Sequence, residues 1–330
     1  MKSKLSLWFA SLVAALWSVG AQAIAVDSYY AGSYSVSSLG SITGLPANYG
    51  GTTFLDNNNI LIGGAANRSA GLIYQVGVTR GAGNHITGFG AATAYGQMGI
   101  YNDGGVVIGP GGVLFTSQWP VNKLGQTKPG STIEDKVIDM AALGVAGSHA
   151  ALNFVPAGFG GAGHVKLVSW AGGQWYDATL TPDGNGTYDL TGLTQVSLSG
   201  GPNVPGGPEG FVYIGAGNPL FTMNSILLSA YSAGKVVTYE VDANGDPLIG
   251  TERDFVTGLS GAEGASIDPL TGDFLFSTFG GGNQIALVLG FNAPPSRHPG
   301  CRNRAACCCA RPGDARTDPH DAAARALIGK

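Results

Sequence analysis

One unit recurs five times along this chain, and a chain built that way has few folds open to it. Each copy is a run of β-favouring residues, a small or hydroxyl residue, usually an aromatic, then a turn and a second β-run. The copies are 60-ILIGGAANRSAGLIYQV-76, 113-VLFTSQWPVNKLG-125, 165-VKLVSWAGGQWYDATL-180, 226-ILLSAYSAGKVVTYEV-241 and 274-FLFSTFGGGNQIALVLGF-291. With Gly63, Ser117, Ser169, Ser229 and Ser277 taken as equivalent, the copies stand 54, 52, 60 and 48 residues apart. Repeats of this length are supersecondary units that bury their faces against one another. ILLSAY and FLFSTF read as strands covered on both sides. The segments 181-TPDGNGTYD-189 and 242-DANGDP-247 carry the Asp-Gly and Asn-Gly chemistry of tight hairpins. The one helix expected lies at 133-IEDKVIDMAALGV-145.

A four-stranded sheet cannot bury both faces alone. Radial stacking does so and leaves only short, protected edges. The expected fold is therefore all-β: a single β-propeller of five or six four-stranded blades. Residues 24–291, divided by the repeat length, give five; a sixth would have to be hidden in 80–112 or 125–160. The strand-like 27-DSYYAGSYSVSSL-39 has no partner copy, so it is expected to complete the blade containing 274–291 and close the ring. A β-helix has much shorter rungs, and a sandwich would leave the five copies unexplained.

Composition agrees. Glycine supplies 55 of 330 residues and only 12% are charged, which suits many tight turns between short strands. Residues 1–23 read as a secretory signal, with Lys2 and Lys4, the apolar run 5–19 and a small-x-small site ending at Ala23; cleavage is expected after Ala23 or Ala25. The protein is thus expected outside the cytoplasm, secreted, periplasmic or on the cell surface, with no membrane span in the mature body. Residues 24–291 hold 8 Lys/Arg against 18 Asp/Glu and no basic stripe, which argues against nucleic acid as a partner. They hold no cysteine either, so packing and not disulfides must stabilise them. All four cysteines, Cys301 and Cys307–Cys309, fall in 292–330, a tail without strand or helix period apart from a faint helical end at 321–328. Three adjacent cysteines do not suit one tetrahedral zinc. The tail's Ala, Arg, Pro, Gly and Cys resemble GC-rich DNA translated out of frame. A frameshift near codon 293 is one reading, and a disordered tail the other; translating the other two frames separates them.

Two copies of an acidic motif stand before strands: Glu209-Gly210 and Glu263-Gly264. Asp103, in Asn102-Asp103-Gly104-Gly105, is a candidate equivalent from an earlier copy. The innermost strands of a propeller converge, so these side chains would meet at the axis. Clustered carboxylates raise one another's pKa unless a cation neutralises them. Calcium, a hard cation taking oxygen ligands in flexible geometry, is the cofactor such a cluster would take. Otherwise each Glu caps a turn. Asp183-x-Asn185 and Asp242-x-Asn244-x-Asp246 resemble the starts of calcium loops but lack the distal Glu, and plain turns are the expected reading. His85, His149 and His164 are expected in solvent-exposed loops. No G-x-S-x-G elbow is present. Trp119, Trp170, Trp175, Tyr231 and Phe279 recur beside strand ends, to pack between blades or to line a face that stacks on sugar rings.

At Glu209-Gly210, Glu263-Gly264, Asp268-Pro-x-x-Gly-Asp273 and FLFST the chain resembles the propellers of the NHL and senescence-marker/gluconolactonase type, over about its last 90 residues. The resemblance implies that Glu209 and Glu263 occupy the place where the lactonase branch holds a divalent metal in the central channel. The exported, glycine-rich body also resembles proteins of the PEP-CTERM sorting class. Pro294-Pro295 stands where their sorting motif begins, and the motif, apolar helix and basic end are absent.

Two functions follow. The first is a non-enzymatic exported propeller that binds an extracellular polysaccharide or a protein partner. The alternative is a metal-dependent hydrolase or lactonase with its cation in the channel. Carboxylates from three blades meeting within about 5 Å would favour the alternative, since hard cations need several oxygens.

Overall fold

The computed structural model describes residues 23–293. Apart from the boundary residues Ala23, Asn292 and Ala293, the expected leader and tail lie outside them. The described part is all-β, with five sheets arranged as the blades of a propeller. Blade 1 is built from Thr52–Asp56, Asn59–Gly64, Leu72–Arg80 and Ile86–Phe89; blade 2 from Asn102–Ile108, Leu114–Gln118, Lys123–Thr127 and Lys136–Asp139. Blade 3 takes His149–Phe154, Val165–Ser169, Trp175–Pro182 and Tyr188–Gln195; blade 4 takes Pro208–Ile214, Ser225–Ala230, Lys235–Glu240 and Arg253–Thr257. Blade 5 takes Ala262–Ile267, Phe274–Thr278 and Ile285–Leu289, with Ser35–Ser38 as its outer strand. The first strand of each blade lies innermost, and these five strands pack in the cyclic order of the blades.

The five repeats of the sequence are the second and third strands of each blade. They are the most legible because they are covered on both sides: ILLSA and FLFST are buried at every residue. The strand register corrects one assignment. Ser117, Ser229 and Ser277 pair with Leu124, Val236 and Ile285, but their counterpart in blade 3 is Val168, paired with Trp175, and not Ser169.

The N-terminal segment closes the ring as its pattern predicts. Ser35–Ser38 pair with Leu289–Ala286 in blade 5, while Ala25–Val26 add an edge to blade 4. Between them Tyr30 and Tyr34 are buried among Phe221, Phe255 and Phe291. On the other flank the Asp268-Pro-x-x-Gly-Asp273 turn latches blade 5 to blade 1. The buried Asp268 carboxylate takes both Arg80 guanidinium nitrogens, at 2.6 and 3.1 Å, and Asp273 meets His85 Nδ1 at 2.6 Å.

The expected helix at 133–145 is not formed. Lys136–Asp139 is instead the outer strand of blade 2, paired with Lys123–Gln126. Its exposure alternates residue by residue, as a half-covered edge requires. Pairing to a neighbouring strand outweighs the weak helical preference of a short segment. Among the described residues no helix is long and apolar enough to cross a membrane.

At the axis the inner strands approach backbone to backbone. A Cβ on Gly51 would lie 2.6 Å from Val106 N, one on Gly104 would lie 2.8 Å from Gly210 N, and one on Gly264 would lie 2.7 Å from Gly51 Cα. Gly210 is hemmed in by backbone alone, with Ala265 N and Glu263 O both 2.7 Å from the missing Cβ. Gly210→Ala is therefore expected to destabilise by about 1–3 kcal/mol through overpacking. That corresponds to a melting temperature lower by roughly 3–10 °C. Gly215→Ala, with nothing within 4 Å, should leave it unchanged. Equal melting temperatures for the two variants would contradict the close-approach account.

Candidate functional site

The acidic residues lie inside the inner strands, each the second residue of its strand, and not ahead of them. The ladder is irregular at each of these places. Its register shifts between Asn102 and Val106, between Pro208 and Phe211, and between Ala262 and Ala265. Asp103, Glu209 and Glu263 all fall in these shifts. A bulge turns a side chain out of the alternation of its strand, and the glycine that follows each acid lets the next strand come close.

The structure brings these three carboxyls together. One oxygen from each lies within 4.8 Å of the others. All three residues are buried, at 1%, 3% and 1% exposure. Both oxygens of Asp103, Oε2 of Glu209 and Oε1 of Glu263 accept no hydrogen bond from the described residues. Burial pushes the Asp103 carboxyl up to about 7. Burial, then the negative charge of Asp103, raises Glu209 well above the ordinary carboxylate range; Glu263 is raised by burial and by both neighbours.

Asn102 does not join them. Its amide donates to Gly99 O at 2.7 Å, and its oxygen faces Gly50 of blade 1. The loop acids are occupied within the fold. Asp183 accepts from Asn185 N and Thr187 N and pairs with Lys136 at 2.8 Å. Asp242 accepts from Asn244 N and Asp246 N. Asp246 takes the buried Lys166 ammonium at 2.6 Å and Trp175 Nε1 at 2.8 Å, which pins its turn to blade 3.

His149 is not in an exposed loop. It begins the inner strand of blade 3, fully buried, with Nδ1 3.2 Å from Asn122 Oδ1. Burial lowers it to about 3, so it stays neutral. A loop was expected because its neighbours are Gly, Ala and Ser; in an inner strand those small residues are what the crowded axis demands. His85 and His164 do stand partly exposed, each beside an aspartate.

Above the acids lies a cavity of about 310 Å³. Glu209 and Glu263 are in its lining, with one residue from the loop after the second strand of four blades: Trp119, Trp170, Tyr231 and Phe279. Consecutive rings stand 6.0, 6.2 and 6.0 Å apart and nearly perpendicular, at 74°, 76° and 70°. On the fifth side blade 1 supplies Asn67 and the exposed Arg68. Sequence reasoning missed those two. The signal was in the first repeat, where Asn-Arg stands in the loop that opens with an aromatic in the other four. Trp175 stays in the core between blades 3 and 4.

No protein-family model matches the sequence, and no curated protein does. Solved structures with partial likeness include an auxiliary nutrient binding protein from Bacteroides thetaiotaomicron, at 11% identity and a TM-score of 0.41 over 71% of this chain and 57% of that one. Two others are the holo PQQ domain of pyranose dehydrogenase from Coprinopsis cinerea and the PQQ-bound aldose sugar dehydrogenase from Streptomyces coelicolor. The first is 10% identical over 81% of this chain and 97% of its own, with a TM-score of 0.39; the second is 11% identical over 78% and 98%, with 0.38. The chain is a five-bladed β-propeller by its own strand topology. The resemblance to the sorting class is drawn from the glycine-rich body and Pro294-Pro295, and that pair lies outside the described residues.

The raised carboxyls fix a pH dependence. Folded Asp103, Glu209 and Glu263 hold protons that the unfolded chain, at the ordinary 3.8 and 4.5, releases first. Their contribution to stability is thus fully present below about pH 4 and is lost as pH rises through 7. With chelator present, the melting temperature is expected to fall between pH 5 and pH 8. The variant D103N/E209Q/E263Q should show a flatter profile, and parallel profiles would contradict this account.

Proposed function

We propose that the chain is an exported, cation-dependent propeller that acts on a small ligand at the mouth of its channel as a metal-dependent hydrolase or lactonase. The observation that carries this reading is the meeting of three buried carboxyls from blades 2, 4 and 5 with oxygens left unpaired. The donor set fits a hard divalent ion. Oxygens at the ~2.4 Å of a calcium ion stand at most about 4.8 Å apart, and the three oxygens here all lie within that distance of one another. Three buried carboxylates without a counter-charge would be costly, and protonation or a cation relieves that cost.

A bound calcium would supply electrophilic activation of a carbonyl and a more acidic water. Asp103, Glu209 and Glu263 would hold it, and the cost of their burial together is what makes the site selective for positive charge. The aromatic walls restrict water around the ligand, and the closed glycine floor fixes how deep it sits. The rival reading, a non-enzymatic binding propeller, is favoured by the aromatic mouth, which suits a polymer end.

Calorimetric titration of the chelator-treated protein with calcium tests the proposal. Saturable binding is expected, with protons released as the raised carboxyls ionise and a higher melting temperature in the complex. E209Q/E263Q should weaken it by at least about tenfold. If calcium, magnesium and manganese all fail to bind while the protein is folded, the cation reading is wrong. If calcium binds and no ester or lactone is turned over, the binding module replaces the enzyme.

A further inference from the structure

We infer that the mouth is built for the terminal residue of an acidic glycan, a uronic acid that enters end-on. This rests on the reading above only in taking the acidic floor as the place where the ligand is held.

Three features of the cavity select the ligand. Its walls are aromatic on four of five sides, and large rigid rings cover apolar C–H surface at small entropic cost. Its floor is polar: Glu209 Oε2 and Glu263 Oε1 are buried and unpaired. A wholly apolar ligand would leave that floor unsatisfied, at the cost of unmet buried polar groups. A pyranose has both parts, apolar C–H faces and a rim of hydroxyl groups that donate hydrogen bonds or offer oxygens to a cation. The fifth side is cationic. Arg68 makes no ion pair among the described residues and stands exposed at the rim beside Asn67. A guanidinium fork recognises a carboxylate in plane. A sugar bearing a carboxylate answers all three.

The floor also decides which part of a glycan can enter. Below the acids, Gly51, Gly104, Gly210 and Gly264 bring the inner strands together with no room for a Cβ. The channel is blind there, and five loops enclose the mouth. A polysaccharide cannot thread through or lie along the site, so only a chain end can occupy it. The volume, about 310 Å³, is at the small end of the ~300–1,000 Å³ usual for ligand pockets.

The test is titration of the intact chain, read by tryptophan fluorescence and calorimetry, with calcium and with chelator. The probes are methyl glucuronide, methyl galacturonide, methyl glucoside, oligogalacturonides of increasing length, and glycine betaine. The uronides are expected to quench the fluorescence of Trp119 and Trp170 and to bind at least about tenfold more tightly than the glucoside. Oligomers of different length should bind equally per chain end. Arg68→Ala should abolish the preference for uronide over glucoside, and Trp170→Phe should weaken both sugars with the preference kept. Uronide no tighter than glucoside, or affinity that rises with every added residue, would overturn the inference. So would binding of glycine betaine alone, which would assign the aromatic mouth to a methylated cation. Calcium binding without any sugar leaves the cation site standing and sinks this inference; sugar binding without calcium does the reverse.

Discussion

The structure depends on how closely five backbones can approach one axis. At the tightest level the residues are Gly51, Gly104, Gly210 and Gly264, with Ala151 in blade 3. All four glycines leave no room for a methyl group, because the next strand's backbone already occupies that volume. This crowding explains the glycines of the inner strands. It also explains why the ladder slips there, since a strand with no side chains to pack is free to bulge. The acid before each glycine is thereby turned toward the axis. The cluster is a consequence of closure: Asp103, Glu209 and Glu263, far apart in the sequence, become neighbours because their blades must meet.

Closure needs holding as well. Ser277 of blade 5 donates to Gly50 O of blade 1 at 2.6 Å and accepts from Gly264 N at 2.8 Å, tying last blade to first beside the axis. Further out, the Arg80–Asp268 and His85–Asp273 pairs repeat the link, and the N-terminal strand completes the outer edge of blade 5. These attachments involve residues from the two ends of the ring, so loop closure over the whole chain is compensated at one seam.

Much of this was legible in the residues, and for a physical reason. Second and third strands such as ILLSA and KVVTYE are covered by neighbouring blades, so they must be apolar and β-branched, and they announce themselves. Inner strands such as NDGGVVI carry glycine and a bulge, the features by which strands are normally ruled out. They were visible only through the acid–glycine pair. Blade 3 has no acid, and so His149 was misplaced into a loop. The 133–145 segment failed for the opposite reason: its local pattern suited a helix, but the open edge of Lys123–Thr127 offered a partner that no local pattern reveals. The aromatic mouth was half visible, as a recurrence without a place; that four of those rings share one cavity follows only from the blade geometry.

The ring has five positions for an acid and uses three. In blade 3 the place is taken by Ala150, fully buried, and in blade 1 by Gly50. Five carboxyls converging on one point in this buried setting would each raise the others further, and no single divalent ion could balance them. Three leave a charge that one divalent cation and a proton can neutralise. Of the two blades without an acid, blade 1 carries the asymmetry upward, presenting Asn67 and Arg68 where its neighbours present an aromatic ring. Blade 3 instead keeps its aromatic, Trp170, over a floor with no charge of its own. The pseudo-symmetric fold therefore has a polar axis across its mouth, acids below and one guanidinium at the side. A ligand held there has a defined orientation, which a fully symmetric ring of five identical blades could not impose.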